Sequence, residues 1–190
     1  MQNKKCRHFY TEELMSLQTM STSKGNQLKW YDEQNRLYIK AQFCYQGKLW
    51  RDDLVEVIGS HIGAQMKLTD KAVCVLHQEL CEIHDHGKLY HGVYSNDFCR
   101  NEERFFPFYR LLQINGLEFP YRSSIGEKWK FVLDTMRVCT GLDYTDYLVA
   151  MTMIDILVGN EDRHLSNFGV LANESFRIPP LFDKFAAAHS

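Results

Sequence analysis

The sequence predicts an α+β fold in two lobes, a small β-rich lobe followed by a helical one. Three observations predict it. Strand-like segments with one amphipathic helix among them fill the chain up to about residue 95. After Ser95-Asn96-Asp97 the spacing of apolar residues turns helical. The 190 residues, 45% apolar and 24% charged, have the composition of a chain that buries a core, in one domain or two small lobes. The expected division is 1–96 for the first lobe and 97–183 for the partial helical lobe, with a hinge near residues 94–98 and a tail over 184–190.

In order along the chain, Leu14, Leu17 and Met20 lie at helical spacing. Ser21 to Gln27 is a small, polar, turn-forming loop. Residues 28–31 and 36–43 flank Asp32-Glu33-Gln34-Asn35 and read as a β-hairpin with a four-residue turn. Over 51–66, Leu54, Val57, Ile58, Ile62 and Met66 fall on one helical face. Residues 72–82 supply a strand, and 89–94 its partner across a His-Gly turn. Residues 98–114 have helix-like spacing broken by Pro107. Trp129, Val132, Leu133, Met136 and Cys139 mark a helix over 125–140. The segment 143–158 is apolar nearly all round, as in a helix buried on most sides, and Gly159-Asn160 ends it.

Net charge is −2, so nothing in the balance signals a sequence-independent grip on nucleic acid. No apolar run is long enough to span a bilayer, and the charged N-terminus has no apolar signal core behind it, so the expected address is cytoplasmic. The six cysteines form no C-x-x-C pair and read as reduced thiols. The stretch His84-Asp85-His86, with His77 and His91 nearby, has no standard zinc spacing and reads as an exposed hairpin turn.

The chemistry concentrates at the exit of the last helix. Asp162 and Asn167 stand five residues apart in a polar loop, and Asp183 follows sixteen residues after Asn167. Phe168–Leu171 and Phe176–Ile178 around a turn form a hairpin that can return Asp183 to the loop. Phosphoryl transfer uses such a set: a carboxylate at the attacking hydroxyl, and an amide with a second carboxylate holding metal on the phosphates. Asp and Asn making ordinary turn hydrogen bonds would fit the same spacing. Asp155, on the apolar helix ahead of the loop, needs a partner, with Arg163 or loop amides in reach, and is assigned to scaffolding.

Asn160-x-Asp162-Arg163-His164-x-x-Asn167-Phe168-Gly169, with Pro180-Leu181-Phe182-Asp183 downstream, resembles the HipA-like serine/threonine kinases of bacteria. Ser23-Lys24-Gly25-Asn26-Gln27 resembles that family's phosphate loop, Tyr38-Ile39-Lys40 its lysine strand and Gly92 to Phe98 its hinge. The likeness runs over roughly residues 20–183.

The resemblance implies a two-lobed protein-kinase-like fold that uses ATP and Mg²⁺. Asp162 would be the catalytic carboxylate, and Asn167 and Asp183 would bind Mg²⁺. Lys40 would neutralise phosphates, with Glu56 its best candidate partner, and Ser21 or Ser23 would match an autophosphorylated serine. Ser23, Lys24, Gly25, Asn26 and Gln27 would present backbone N–H groups to the phosphates. Arg163 and His164 would hold the loop, or place a cation beside the transferred group. A protein substrate and an antitoxin-type partner belong to the same implication.

Phosphoinositide kinases share the Asp-Arg-His-x-x-Asn loop, but Pro-Leu-Phe-Asp and the short chain favour the bacterial protein kinases. The chain stops soon after Asp183, where the family continues, and its last residues resemble a vector-derived tail. Two other readings stay open: a catalytically incomplete nucleotide- or partner-binding module, and a metal-dependent phosphodiesterase using the same carboxylates.

Overall fold

The computed structural model describes residues 6–17, 27–45, 48–68, 71–100, 102–160 and 163–182. The phosphate-loop positions Ser21, Ser23, Lys24, Gly25 and Asn26, and the carboxylates Asp162 and Asp183, lie outside the described residues.

Among the described residues, the first lobe carries ten strands and one α-helix. They are β1 (Arg7–Tyr10), β2 (Met15–Ser16), β3 (Lys29–Asp32), β4 (Leu37–Ala41), β5 (Cys44–Tyr45), β6 (Lys48–Leu49), α1 (Asp52–Gln65), β7 (Lys67–Leu68), β8 (Lys71–Ala72), β9 (Gln78–Asp85) and β10 (Lys88–Asn96). Six of the strands form one curled sheet in the order β1-β9-β10-β4-β3-β2, parallel between β1 and β9 and antiparallel elsewhere. Alternation sorts the side chains to two faces. Phe9, Trp30, Leu37, Ile39, Ala41, Cys81 and Ile83 make the lobe's core.

The β3–β4 hairpin forms as its residues predict, with the turn shifted by one to Glu33–Arg36. Asp32 fixes that turn by accepting the backbone N–H and side-chain amide of Asn35. The β9–β10 hairpin turns at His86-Gly87, both with positive φ (45° and 78°), as a tight two-residue turn needs.

The second lobe holds β11 (Arg104–Pro107), α2 (Phe108–Ile114), α3 (Ile125–Thr140), α4 (Thr145–Val158), β12 (Gly169–Ala172) and β13 (Phe176–Arg177). Strands β11, β12 and β13 form a small antiparallel sheet. A Ser124–Glu127 capping box starts α3, and Gly141 ends it at φ 74°. Fully buried Tyr144 donates its hydroxyl to the Gly169 carbonyl at 2.8 Å, fastening the start of α4 to β12. Phe108, Met136, Ile154 and Val170 centre this lobe's core.

Four expectations change. Residues 11–13 form a 3₁₀ turn and Met15–Ser16 pairs with β3, so the Leu14/Leu17 spacing is not helical; so short a segment gains more from an open sheet edge than from an isolated helix. Residues 104–107 form a strand, not helix, because they pair with β12 and Pro107 then serves as the N-cap of α2. Helix α1 buries Asp52, Asp53, Glu56, Gly59, Ser60 and Gly63, whereas Ile58 from the expected apolar face is 53% exposed. Each polar group on that buried face has a partner, which makes its burial tolerable. Helix α4 is not covered all round: Ile156 and Leu157 are exposed near its end.

Candidate active site

Lys40 sits on β4, paired through the backbone with Lys29 on one side and Val93 on the other. Its ammonium donates to Glu56 Oε1 at 2.6 Å, and Glu56 is 1% exposed. Gln78 at the start of β9 donates to the other Glu56 oxygen at 2.8 Å, so strand, helix and strand hold one carboxylate. Ser60, one helical turn on, accepts the Gln78 N–H and donates to the Leu76 carbonyl. The pair is therefore fixed in orientation from both ends.

Asp52, four residues before Glu56 and on the same helix face, completes this cluster. It accepts the Phe43 N–H at 2.7 Å and the Gln27 amide at 2.7 Å. Burial pushes its carboxyl above the ordinary range, while the Phe43 N–H and the Lys40 charge pull it down. Gln27 also donates to the Ala41 carbonyl. Its side chain thus ties the end of the 21–27 segment to β4 and α1.

The second half of the site grows from the C-terminus of α4. Gly159, at φ 66°, terminates the helix in the left-handed region that favours glycine. Asn160 turns back, its N–H and its amide both bonded to Asp155 at 2.8 Å. Arg163 grips the two Asp155 oxygens at 2.6 and 2.9 Å, a two-pronged ion pair with both side chains mostly buried. The third guanidinium nitrogen donates to two carbonyls, Phe182 at 3.1 Å and Asn167 at 3.4 Å. One arginine thereby joins helix, polar loop and the residue before Asp183. Its role in the geometry is to hold the loop.

Buried Asn167 has its side-chain oxygen 3.2 Å from the Ser166 hydroxyl and 3.3 Å from His164 Nδ1. These contacts orient an amide oxygen, a hard donor of the kind that Mg²⁺ accepts. Leu181 bonds both ways with the segment after α1: Leu181 N to the Cys74 carbonyl and Leu76 N to the Leu181 carbonyl, both at 2.9 Å. Phe182 stacks on Phe98 at 5.2 Å and meets Phe105 edge-on. The approach to Asp183 is thus anchored to both lobes and to the hinge.

A cavity of about 720 Å³ opens on the helical side of the loop, lined by Tyr109, Trp129, Met151, Arg163, His164 and Ser166 among others. Lys40 and Glu56 do not line it.

No family model matches the sequence, and no curated protein matches it. Among solved structures, the chain is similar to the crystal structure of a Helicobacter pylori proinflammatory kinase, CtkA, at 18% identity and a TM-score of 0.63. The match covers 94% of this chain and 60% of that one, so the chain spans about three-fifths of its length. At that identity the likeness concerns the fold, and the fold is two-lobed and kinase-like.

Of the described residues singled out in the sequence, Lys40 and Glu56 meet, Gln27 joins them through Asp52, and Asn167 lies at the loop. Asp52 and Gln78 carry no motif of their own. The four-residue step from Asp52 to Glu56 is the signal that could have found the first; Gln78 depends on sheet register, which no local pattern reveals.

Proposed function

We propose that the chain is the nucleotide-binding and catalytic part of an ATP-dependent serine/threonine protein kinase of HipA-like type. The observation that carries this reading is the buried Lys40–Glu56 pair, braced by Gln78, in a kinase-like fold. A lysine held this way by a helix carboxylate is set to neutralise nucleotide phosphates. The junction of Asn167 and Phe182 on Arg163 supports a second half of the site, with Asp183 next in the chain.

In this reading Asp162 orients the acceptor hydroxyl and takes its proton as the oxygen attacks the γ-phosphorus. The bond from that phosphorus to the bridging oxygen breaks, and ADP leaves. Lys40 stabilises the charge on the α- and β-phosphates, and backbone N–H groups of residues 23–27 cradle them. Asn167 and Asp183 would hold Mg²⁺, which neutralises charge on the phosphates when bound. A protein substrate and an antitoxin-type partner follow from the same family reading.

A second reading is a catalytically incomplete nucleotide- or partner-binding module of the same descent. What favours it is the exposed apolar end of α4, Ile156 and Leu157, a face that a partner could cover.

The test is transfer from γ-labelled ATP, read together with ATP binding. Asp162→Ala should abolish transfer and leave ATP binding nearly intact, whereas Asp183→Ala should remove Mg²⁺-dependent binding. Transfer at the wild-type rate in both variants would refute the assignment, and binding without any transfer in the wild type would favour the second reading.

A further inference from the structure

Three strands bring a set of histidines and a carboxylate to one face of the sheet, outside the site described above. Parallel pairing of β1 with β9 puts His8 opposite Glu82 and Tyr10 opposite His84. Glu82 and His84 are two residues apart on β9, so they share a face. Across the antiparallel β9–β10 pair, exposed His91 stands opposite Glu82 on that same face.

The donor atoms of His8, Glu82 and His84 all lie within 4.8 Å of one another. His8 Nδ1 is 3.2 Å from His84 Nε2 and 3.3 Å from Glu82 Oε2. Ligands held at about 2.0–2.1 Å around a tetrahedral Zn²⁺ are separated by about 3.3–3.4 Å, so both contacts have the length of a tetrahedron edge. The rings are also held in place. His84 stacks on Tyr10 at 4.7 Å and 15°, and on His8 at 5.5 Å and 28°. Two imidazoles and one carboxylate form a donor set that zinc accepts, with the fourth position left to water or to His91.

We propose that His8, Glu82 and His84 form a site for a divalent transition metal of the zinc class, stapling edge strand β1 to β9. The sequence alone conceals the site, because His8 is 74 residues from Glu82 and only strand register joins them. A proton shared between the rings would satisfy the same contacts without metal, and the experiment separates the two.

The test uses the full chain, stripped of metal and titrated with Zn²⁺ by calorimetry and with Co²⁺ by absorption. The expected result is one Zn²⁺ per chain, an intense tetrahedral Co²⁺ spectrum and a higher Tm with zinc. His8→Ala and His84→Ala should each weaken binding by about tenfold or more, a loss that even outer-sphere changes can reach, and abolish the Tm rise. The control His86→Ala, an exposed turn residue, should change neither. Absence of zinc binding at about 100 μM, far weaker than structural zinc sites, would overturn the proposal. So would unchanged affinity in both histidine variants, or a weak octahedral Co²⁺ spectrum.

Discussion

Arg163 can donate to the Asn167 and Phe182 carbonyls because Asp155 receives its other two nitrogens. The pair is mostly buried, so removing one partner strands the other charge. Arg163→Ala should therefore lower stability by about 3–5 kcal/mol, as breaking other buried pairs does, measured by urea unfolding. Asp155→Asn keeps the hydrogen-bonding shape and should cost less. Glu56 acts differently, because its carboxylate sets where the Lys40 ammonium points. In the kinase reading, Glu56→Gln should reduce phosphoryl transfer about 100-fold, the scale of loss for a misplacement of about 1 Å. ATP affinity should change much less, and steady-state kinetics beside binding titration would separate the two effects.

At the scale of elements, the hinge between β10 and β11 is held by charges. Arg36 bonds Asp97 at 2.9 Å, and Arg177 of β13 grips Glu103 at 2.6 and 3.0 Å while also donating to the Phe98 carbonyl. The Arg177 hydrogen bonds hold the Glu103 carboxyl down to about 2, against an ordinary 4.5. A depressed carboxylate contributes stability above its unfolded value and loses it as pH falls toward its folded one. Glu103→Gln should thus destabilise the protein at neutral pH by about 1 kcal/mol after solvent screening. The difference from wild type should shrink below pH 4.5 and vanish near pH 2, as followed by thermal melts across that range.

The β4–β10 pair carries another constraint. A Cβ on Gly92 would collide with the Lys40 carbonyl and press on Ile83, so Gly92→Val should split the ladder beside Lys40 and destabilise by about 1–3 kcal/mol, as overpacking does, read from the urea midpoint.

Helices α3 and α4 and the β3–β4 hairpin were legible because spacing, caps and turn residues agree over many residues. Of the second hairpin the turn was legible, but β9 starts at Gln78, not at residue 72, because its bounds follow from pairing with β10 and β1. Strand β11 was not, because its pairing partner β12 lies more than 60 residues away. The apolar pattern of α1 pointed to the wrong face, because polar partners on β4 and β9 reward burial of Glu56 and Ser60. The Lys40–Glu56 pair was implied by the resemblance of the 38–40 strand to a kinase lysine strand, but its Gln78 brace was not.

Across the whole molecule, the segment after α1, with Met66, Leu68, Val73 and Val75 packed against the second lobe's core, joins the two lobes. Helix α1 lies between them, with Gly63 close enough to Val75 and Ile154 that any Cβ would crowd both. The Leu181-Phe182 segment ties the strand region after α1 to Arg163 and the hinge aromatics. In the kinase reading, Lys40 and Asn167 face one nucleotide crevice from opposite walls. The most direct measurement is a crystal structure with Mg²⁺ and a non-hydrolysable ATP analogue. In the kinase reading, phosphate oxygens lie about 3 Å from Lys40 Nζ and the metal about 2.1 Å from the Asn167 side-chain oxygen. Phosphates bound elsewhere, with Lys40 and Asn167 touching neither nucleotide nor metal, would contradict it.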